Sequence, residues 1–313
     1  MDTSPLFTTG LDLQRTGDSK LAPPPPARLS CSDRPGPGVG STLLPMAALD
    51  VEALRAALVG SYAALDVVPS TGSTNADLVA AAAAGAADRT VLIAEEQTAG
   101  RGRRARDWVS PPESGLYLSV LLRPTGVPTA RFGSLALVAG VALARTARHV
   151  GVFAALKWPN DLLAGANMAK CAGVLAEASA GREPAVVVGI GLNVGPLPTE
   201  VPVGPGGLPA TSLSQEDGTA DRTEVAIALL RSFAEAEQSW RGAQGDLVTS
   251  GLLAHYRGNC STLGQRVRVE LPDGSDLQGL ATDIDHDGQL VLDVEGVART
   301  VSAGDVVHLR AAR

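Results

Sequence analysis

The sequence predicts an α+β fold built on a mixed sheet and followed by a small all-β unit, and three observations carry that reading. Strand-like and helix-like segments follow one another in mixed order; neighbouring strands are joined in hairpin fashion with few helical crossovers; and the last fifty residues hold only short alternating segments separated by Pro-Asp-Gly, Asp-Gly and Glu-Gly turns. The chain of 313 residues leaves room for about two domains of roughly 150 residues each.

Residues 1–46 hold eight prolines, five glycines and a single aromatic, the composition of an unfolded tail, and no fold is assigned to them. Asp50 is a plausible N-cap for an alanine- and leucine-patterned helix over 51–65. Ser73 and Thr74 cap a second helix that runs to Ala84 and stops at Gly85, and a β-rich 90–94 follows. Segment 115–123 places Leu116, Leu118, Val120 and Leu122 on one face of a strand. Residues 131–150 read as a helix so apolar that it must be mostly buried. Strands are expected at 154–157, 170–176 and 185–190, then helices at 222–241 and 246–257. Four short strands at 266–271, 277–283, 289–294 and 297–301 read as a small β-barrel. The organisation expected is therefore a tail over 1–46, a main domain over 47–262 and a barrel over 263–313.

Composition excludes several function classes. The net charge of −7 opposes general electrostatic binding to nucleic acid or an anionic membrane, so any anion site must be local. The charge-free stretch 132–144 is shorter than the ~20 residues of a membrane span, no secretory signal opens the chain, and three scattered cysteines match neither a disulfide framework nor a zinc knuckle; a cytoplasmic protein is expected. Histidines 149, 255, 286 and 308 lack metal-ligand spacing, and the calcium-loop-like Asp283–Gly288 has Val294 where a glutamate is required, so it reads as a hairpin turn.

Two clusters remain. Residues 97–108, Gln-Thr-Ala-Gly-Arg-Gly-Arg-Arg-Ala-Arg-Asp-Trp, put four arginines and two glycines directly after a strand; glycine lets backbone approach a ligand, and arginine forks match carboxylate and phosphate oxygens. A solvated basic loop or an RNA-binding patch is the plain alternative, while Trp108 would fold over a base or plug the core. The second cluster is Lys157-Trp-Pro-Asn-Asp161 with Lys170. Only three of 26 basic residues are lysine, which makes both lysines unusual, and one opening a buried strand needs a carboxylate or a ligand phosphate as partner. Gly189-Ile-Gly-Leu-Asn193 mimics a dinucleotide fingerprint without the helix that should follow it; its glycines let a flat ligand lie on the strand, with Asn193 supplying an amide, or else mark a close strand crossing.

Taken in order, Ser73-Thr-Asn75, 97–108, Lys157–Asp161, Lys170-Cys-Ala-Gly-Val-Leu-Ala-Glu177 and Gly189–Asn193 resemble the motif set of biotin protein ligases over roughly residues 47–313. The resemblance implies a catalytic domain related to class II aminoacyl-tRNA synthetases, an SH3-like C-terminal barrel, and ATP-dependent attachment of biotin to a carrier lysine. By motif position, Ser73, Thr74, Asn75, Gln97, Gly100, Arg101, Gly102, Arg103 and Lys170 would bind biotin. Arg103, Arg106, Trp108, Lys157, Asn160, Lys170 and Asn193 would bind the nucleotide, and Lys170, Arg101, Arg103 and Asp161 would act in catalysis. Mg²⁺ would arrive on nucleotide phosphates, with no metal held by the protein alone, and the arginine loop would close once both anions are bound. Residues 171–313 contain no lysine, so the acceptor is another protein, the carrier domain of a biotin-dependent carboxylase. Some members of that family carry an N-terminal helix-turn-helix; the Pro- and Gly-rich 1–46 does not match one, and DNA binding is not expected. Two residues more than the family spacing separate Lys157 from Lys170. Lipoate or octanoate transfer by the related ligases, and nucleic-acid regulation through the arginine loop, are the competing readings.

Overall fold

The computed structural model describes residues 46–109, 111–179, 183–197, 201, 203, 204, 207–219, 221–271, 273–302 and 304–309. Seven strands form the main sheet in the order β1-β2-β3-β7-β6-β5-β4: β1 Ala64–Val68, β2 Thr90–Ala94, β3 Gly115–Leu122, β4 Ala154–Lys157, β5 Asp161–Ala164, β6 Ala169–Ser179 and β7 Ala185–Asn193. Only β1 and β2 pair in parallel, through α2, Thr74–Ala83; the other pairs are antiparallel, as the hairpin-like spacing implied. Helices α3, Leu135–His149, and α4, Arg222–Gly242, pack against one another and over the sheet, with α1, Val51–Leu58, and α5, Leu252–Gly258, beside them.

Local chemistry fixes the ends. Asp50 accepts from the Ala53 amide and caps α1, which ends at Leu58 because Gly60 turns with a φ of +80°; the expected helix over 51–65 is thus two elements, and Leu65 lies in β1. Strand β3 turns Leu116, Leu118, Val120 and Leu122 to one face, as expected, where they share the core with α3 and α4; its other face is also buried, Leu121 packing with Leu78 and Ala82 of α2. Segment 129–149 begins as a 3₁₀ turn before α3. Although long and apolar enough to cross a membrane, it is mostly buried within the fold and serves as the core helix.

A second, five-stranded antiparallel sheet has the order β11-β10-β9-β8-β12: β8 Arg266–Glu270, β9 Asp276–Ile284, β10 Leu290–Val294, β11 Val297–Val301 and β12 Asp305–His308. Its turns use left-handed Gly274, Gly288 and the Glu295–Gly296 pair; Asp285 accepts from the Asp287 and Gln289 amides, so this segment is the hairpin turn expected in place of a calcium loop. The apolar core is continuous between the sheets: Val267, Ala281 and Leu290 share a cluster with Leu137 and Trp158, and the Trp158 indole donates to the Gly288 carbonyl at 2.9 Å. The proline-rich tail, apart from Met46, lies outside the described residues.

Candidate active site

A cavity of about 660 Å³ opens at the end of the main sheet where β3, β6 and β7 meet the arginine loop and the edge of the second sheet. One end is uncharged. Helix α2 starts there because Ser73 Oγ caps the Ala76 amide, while the Thr74 amide donates to Gln97 Oε1 at 2.9 Å. Thr74 Oγ1 lies 2.7 Å from Ser119 Oγ; Ser119 donates to Asn75 Oδ1 at 2.6 Å; and Asn75 Nδ2 donates to Glu177 at 2.6 Å and to the Leu175 carbonyl at 3.3 Å. Ser119, fully buried, was not singled out from sequence; the available signal was a lone serine inside an otherwise apolar strand core.

The other end is charged. Strands β4 and β5 are joined by a tight turn that sets Lys157 opposite Asp161, and β6 returns beside β5 to bring Lys170 over the same carboxylate. Asp161 lies 2.8 Å from Lys170 Nζ and 3.9 Å from Lys157 Nζ, so one carboxylate serves two ammonium groups. Burial pushes the Lys157 ammonium below its ordinary range, with Asp161 opposing that shift and Lys170 adding to it. Lys170 Nζ also sits 5.5 Å from the Trp108 ring centroid. The backbone of Lys170 is fixed by an amide donated to Pro209 and a carbonyl accepting from Thr211.

The arginine loop is braced by the second sheet. Gly102 donates to the Arg106 carbonyl and Trp108 to that of Gly100, while Arg104 adopts a left-handed φ of 57°. Arg104 and Arg106 both bond Asp305 at the start of β12, Arg104 adding the Leu271 carbonyl at 2.7 Å; Arg103 reaches the Gly304 carbonyl at 3.1 Å and Asn160 at 3.4 Å. These cations hold the Asp305 carboxyl below the usual carboxylate range despite its partial burial. Asp305 and its strand were missed from sequence, because four residues near the chain end carry too little alternation.

Most expected residues therefore converge. Ser73, Thr74, Asn75, Gln97, Arg101, Gly102, Arg103, Arg106, Trp108, Lys157, Asn160, Asp161, Lys170 and Asn193 line the cavity; Gly100 does not, serving Trp108 through its carbonyl. Arg101 is exposed at the rim. Two expectations change. The flat group on the glycine strand is the Trp108 indole itself, since a Cβ on Gly191 would stand 2.4 Å from it, and a Cβ on Gly189 would strike Asn75 Oδ1 at 2.2 Å. The Asn193 amide is used inside the protein, donating to the Thr211 carbonyl at 2.8 Å, and Asn160 likewise donates to Val174.

Comparison with known proteins bears on what this cavity serves. Residues 67–194 match the biotin/lipoate A/B protein ligase family, and residues 262–309 the biotin protein ligase C-terminal domain. A biotin--[acetyl-CoA-carboxylase] ligase of Mycobacterium tuberculosis is 48% identical over 271 residues, covering 84% of this chain and 96% of that one. The chain belongs to the biotin protein ligases. A bifunctional ligase/repressor of Escherichia coli is 31% identical over 250 residues, 79% of this ligase and 74% of the relative. The structure of a biotin protein ligase from Aquifex aeolicus in complex with biotin and ATP aligns with a TM-score of 0.63 at 26% identity, over 80% of this ligase and all of the other.

Proposed function

We propose that this ligase joins biotin to ATP in the cavity described above and then passes biotin to a lysine of a carrier domain of a biotin-dependent carboxylase. The observation that carries the reading is the division of one cavity into an uncharged hydrogen-bonding end and a cationic end built from Lys170, Lys157, Arg103 and the rim Arg101. A ring with polar edges fits the first end; a carboxylate meeting a phosphate fits the second, because two anions repel unless cations stand between them.

In the first step a biotin carboxylate oxygen attacks the α-phosphorus, the bond to the β-phosphate oxygen breaks, and pyrophosphate leaves. In the second, the carrier amine attacks the acyl carbon; a C–N bond forms, the acyl C–O bond to the phosphate breaks, AMP departs with the electron pair, and the amine loses a proton to solvent. Lys170 and Arg103 would meet the charge that develops on phosphoryl oxygen, Arg101 the carboxylate, and Lys157 and Arg106 the nucleotide phosphates. Asp161 would hold Lys170 in place and lie where an incoming amine could be oriented. Mg²⁺ fits as a passenger on the phosphates, where it would neutralise charge; among the described residues no group of three His, Cys, Asp or Glu side chains is placed to hold it alone.

The same reading gives residues 47–262 the catalytic role, on a class II synthetase-like plan, and residues 263–313 an SH3-like architecture that supports the arginine loop. Two described cysteines, both buried and unpaired, suit a reducing cytoplasm. Pyrophosphate release from ATP, measured side by side with biotin, lipoate and octanoate, tests the assignment. Release with biotin alone is expected, and release with lipoate or octanoate alone would move the substrate to the neighbouring branch of the family.

A further inference from the structure

The uncharged end of the cavity contains a hydrogen-bond chain whose direction is fixed from behind. Ser119 of β3, Gly189 of β7 and Leu175 of β6 lie side by side across the sheet. The absence of a side chain on Gly189 lets the Asn75 amide lie across that row. At one end of the row the Asn75 amide meets two groups that only accept, the Leu175 carbonyl and the Glu177 carboxylate, so its NH₂ must face them and its oxygen must face Ser119. At 2.6 Å, two acceptors would repel, so Ser119 donates to that oxygen. Its single proton used, Ser119 accepts from Thr74 across 2.7 Å. The Gln97 oxygen, which accepts the Thr74 amide at 2.9 Å, is a second acceptor for the hydroxyl, at the longer distance of 3.1 Å.

We propose that Ser119, which does not line the cavity, is a positioning residue for ligand selectivity: by taking the hydroxyl proton of Thr74, it leaves Thr74 facing the cavity as an acceptor that selects a ligand N–H. A cyclic urea supplies such a donor, whereas a fatty acyl or dithiolane ring would leave the Thr74 oxygen desolvated and unpaired. The inference rests on the reading above that the biotin ring occupies this end.

Steady-state kinetics of pyrophosphate release tests it with Ser119→Ala, Thr74→Val and the double variant. Ser119→Ala should raise the biotin KM about tenfold, the size of one neutral hydrogen bond, with kcat and the ATP KM within about twofold. Because Ser119 acts through Thr74, the double variant should match Thr74→Val alone. Full additivity, or an equal fall in kcat, would make Ser119 a merely structural serine and overturn the proposal. A biotin KM unmoved by Thr74→Val would overturn it differently, by showing that the ring lies elsewhere. Glu177→Ala, on an exposed position and so independent of core packing, provides a second route: the biotin KM should rise about threefold, and not at all in the Thr74→Val background. A rise that persists in that background would count against the relay.

Discussion

Asp161 is the residue on which the charged end depends. Its carboxylate faces two lysines, and replacing it by an amide would leave two neighbouring, largely buried ammonium groups without that counter-ion. Asp161→Asn should therefore lower stability by about 3 kcal/mol, read as a lower denaturant midpoint at unchanged m, and should impair adenylate formation as Lys170 moves from its seat. Unchanged stability would show that the lysines find other partners. The importance of this cluster was legible in the sequence because lysine is so rare here that its two occurrences near 160–170 demanded partners. Ser119 was not legible: a buried serine announces nothing about which neighbour takes its proton, and that information lies in the cross-strand register of β3, β7 and β6, which no local pattern contains.

At the scale of elements, the loop over 97–108 and the strand β12 form one working unit. Three arginines grip Asp305 and the Gly304 and Leu271 carbonyls, which docks the loop on the second sheet. Asp305→Asn should loosen that docking, accelerating tryptic cleavage near Arg103 several-fold; biotin with ATP should restore protection by supplying other anions. Cleavage as slow as in the parent would mean the loop does not depend on Asp305. The strands β2, β4 and β11 coincide with the ranges expected from sequence, because a β-rich run bounded by turn residues fixes a strand by itself. Strands β1, β5 and β12 escaped notice. Each has four or five residues, and β1 and β5 continue directly from segments that read as a helix and a turn. Their strand character comes from pairing with a neighbour, a long-range cause.

Across the whole molecule, the two sheets share an apolar core and a polar seam in which Thr262 meets His308 at 3.2 Å and accepts from the Trp158 amide. Burial, aided by nearby Lys157, pushes the His308 imidazole down to about 4 from the ordinary 6.5. A histidine with a depressed folded-state pKa contributes stability above about 6.5, and that contribution is lost as pH falls from there through about 4, because the unfolded chain takes up the proton first. His308→Asn should therefore show a smaller drop in Tm between pH 6.5 and 4.5 than the parent; an identical drop would place the acid sensitivity elsewhere. The seam matters for function because the turn carrying Lys157 and Asp161 rests on one side of it and the arginine loop on the other. In the proposed reaction these two elements together form a cationic site that holds two anions side by side, and Lys170 is its most direct probe. Biotin-dependent ATP–pyrophosphate exchange by folded Lys170→Ala, set beside biotin transfer from preformed biotinyl-AMP, measures that role. Exchange should fall by about 10²- to 10³-fold, with transfer affected much less. Exchange at the parental rate would contradict the account.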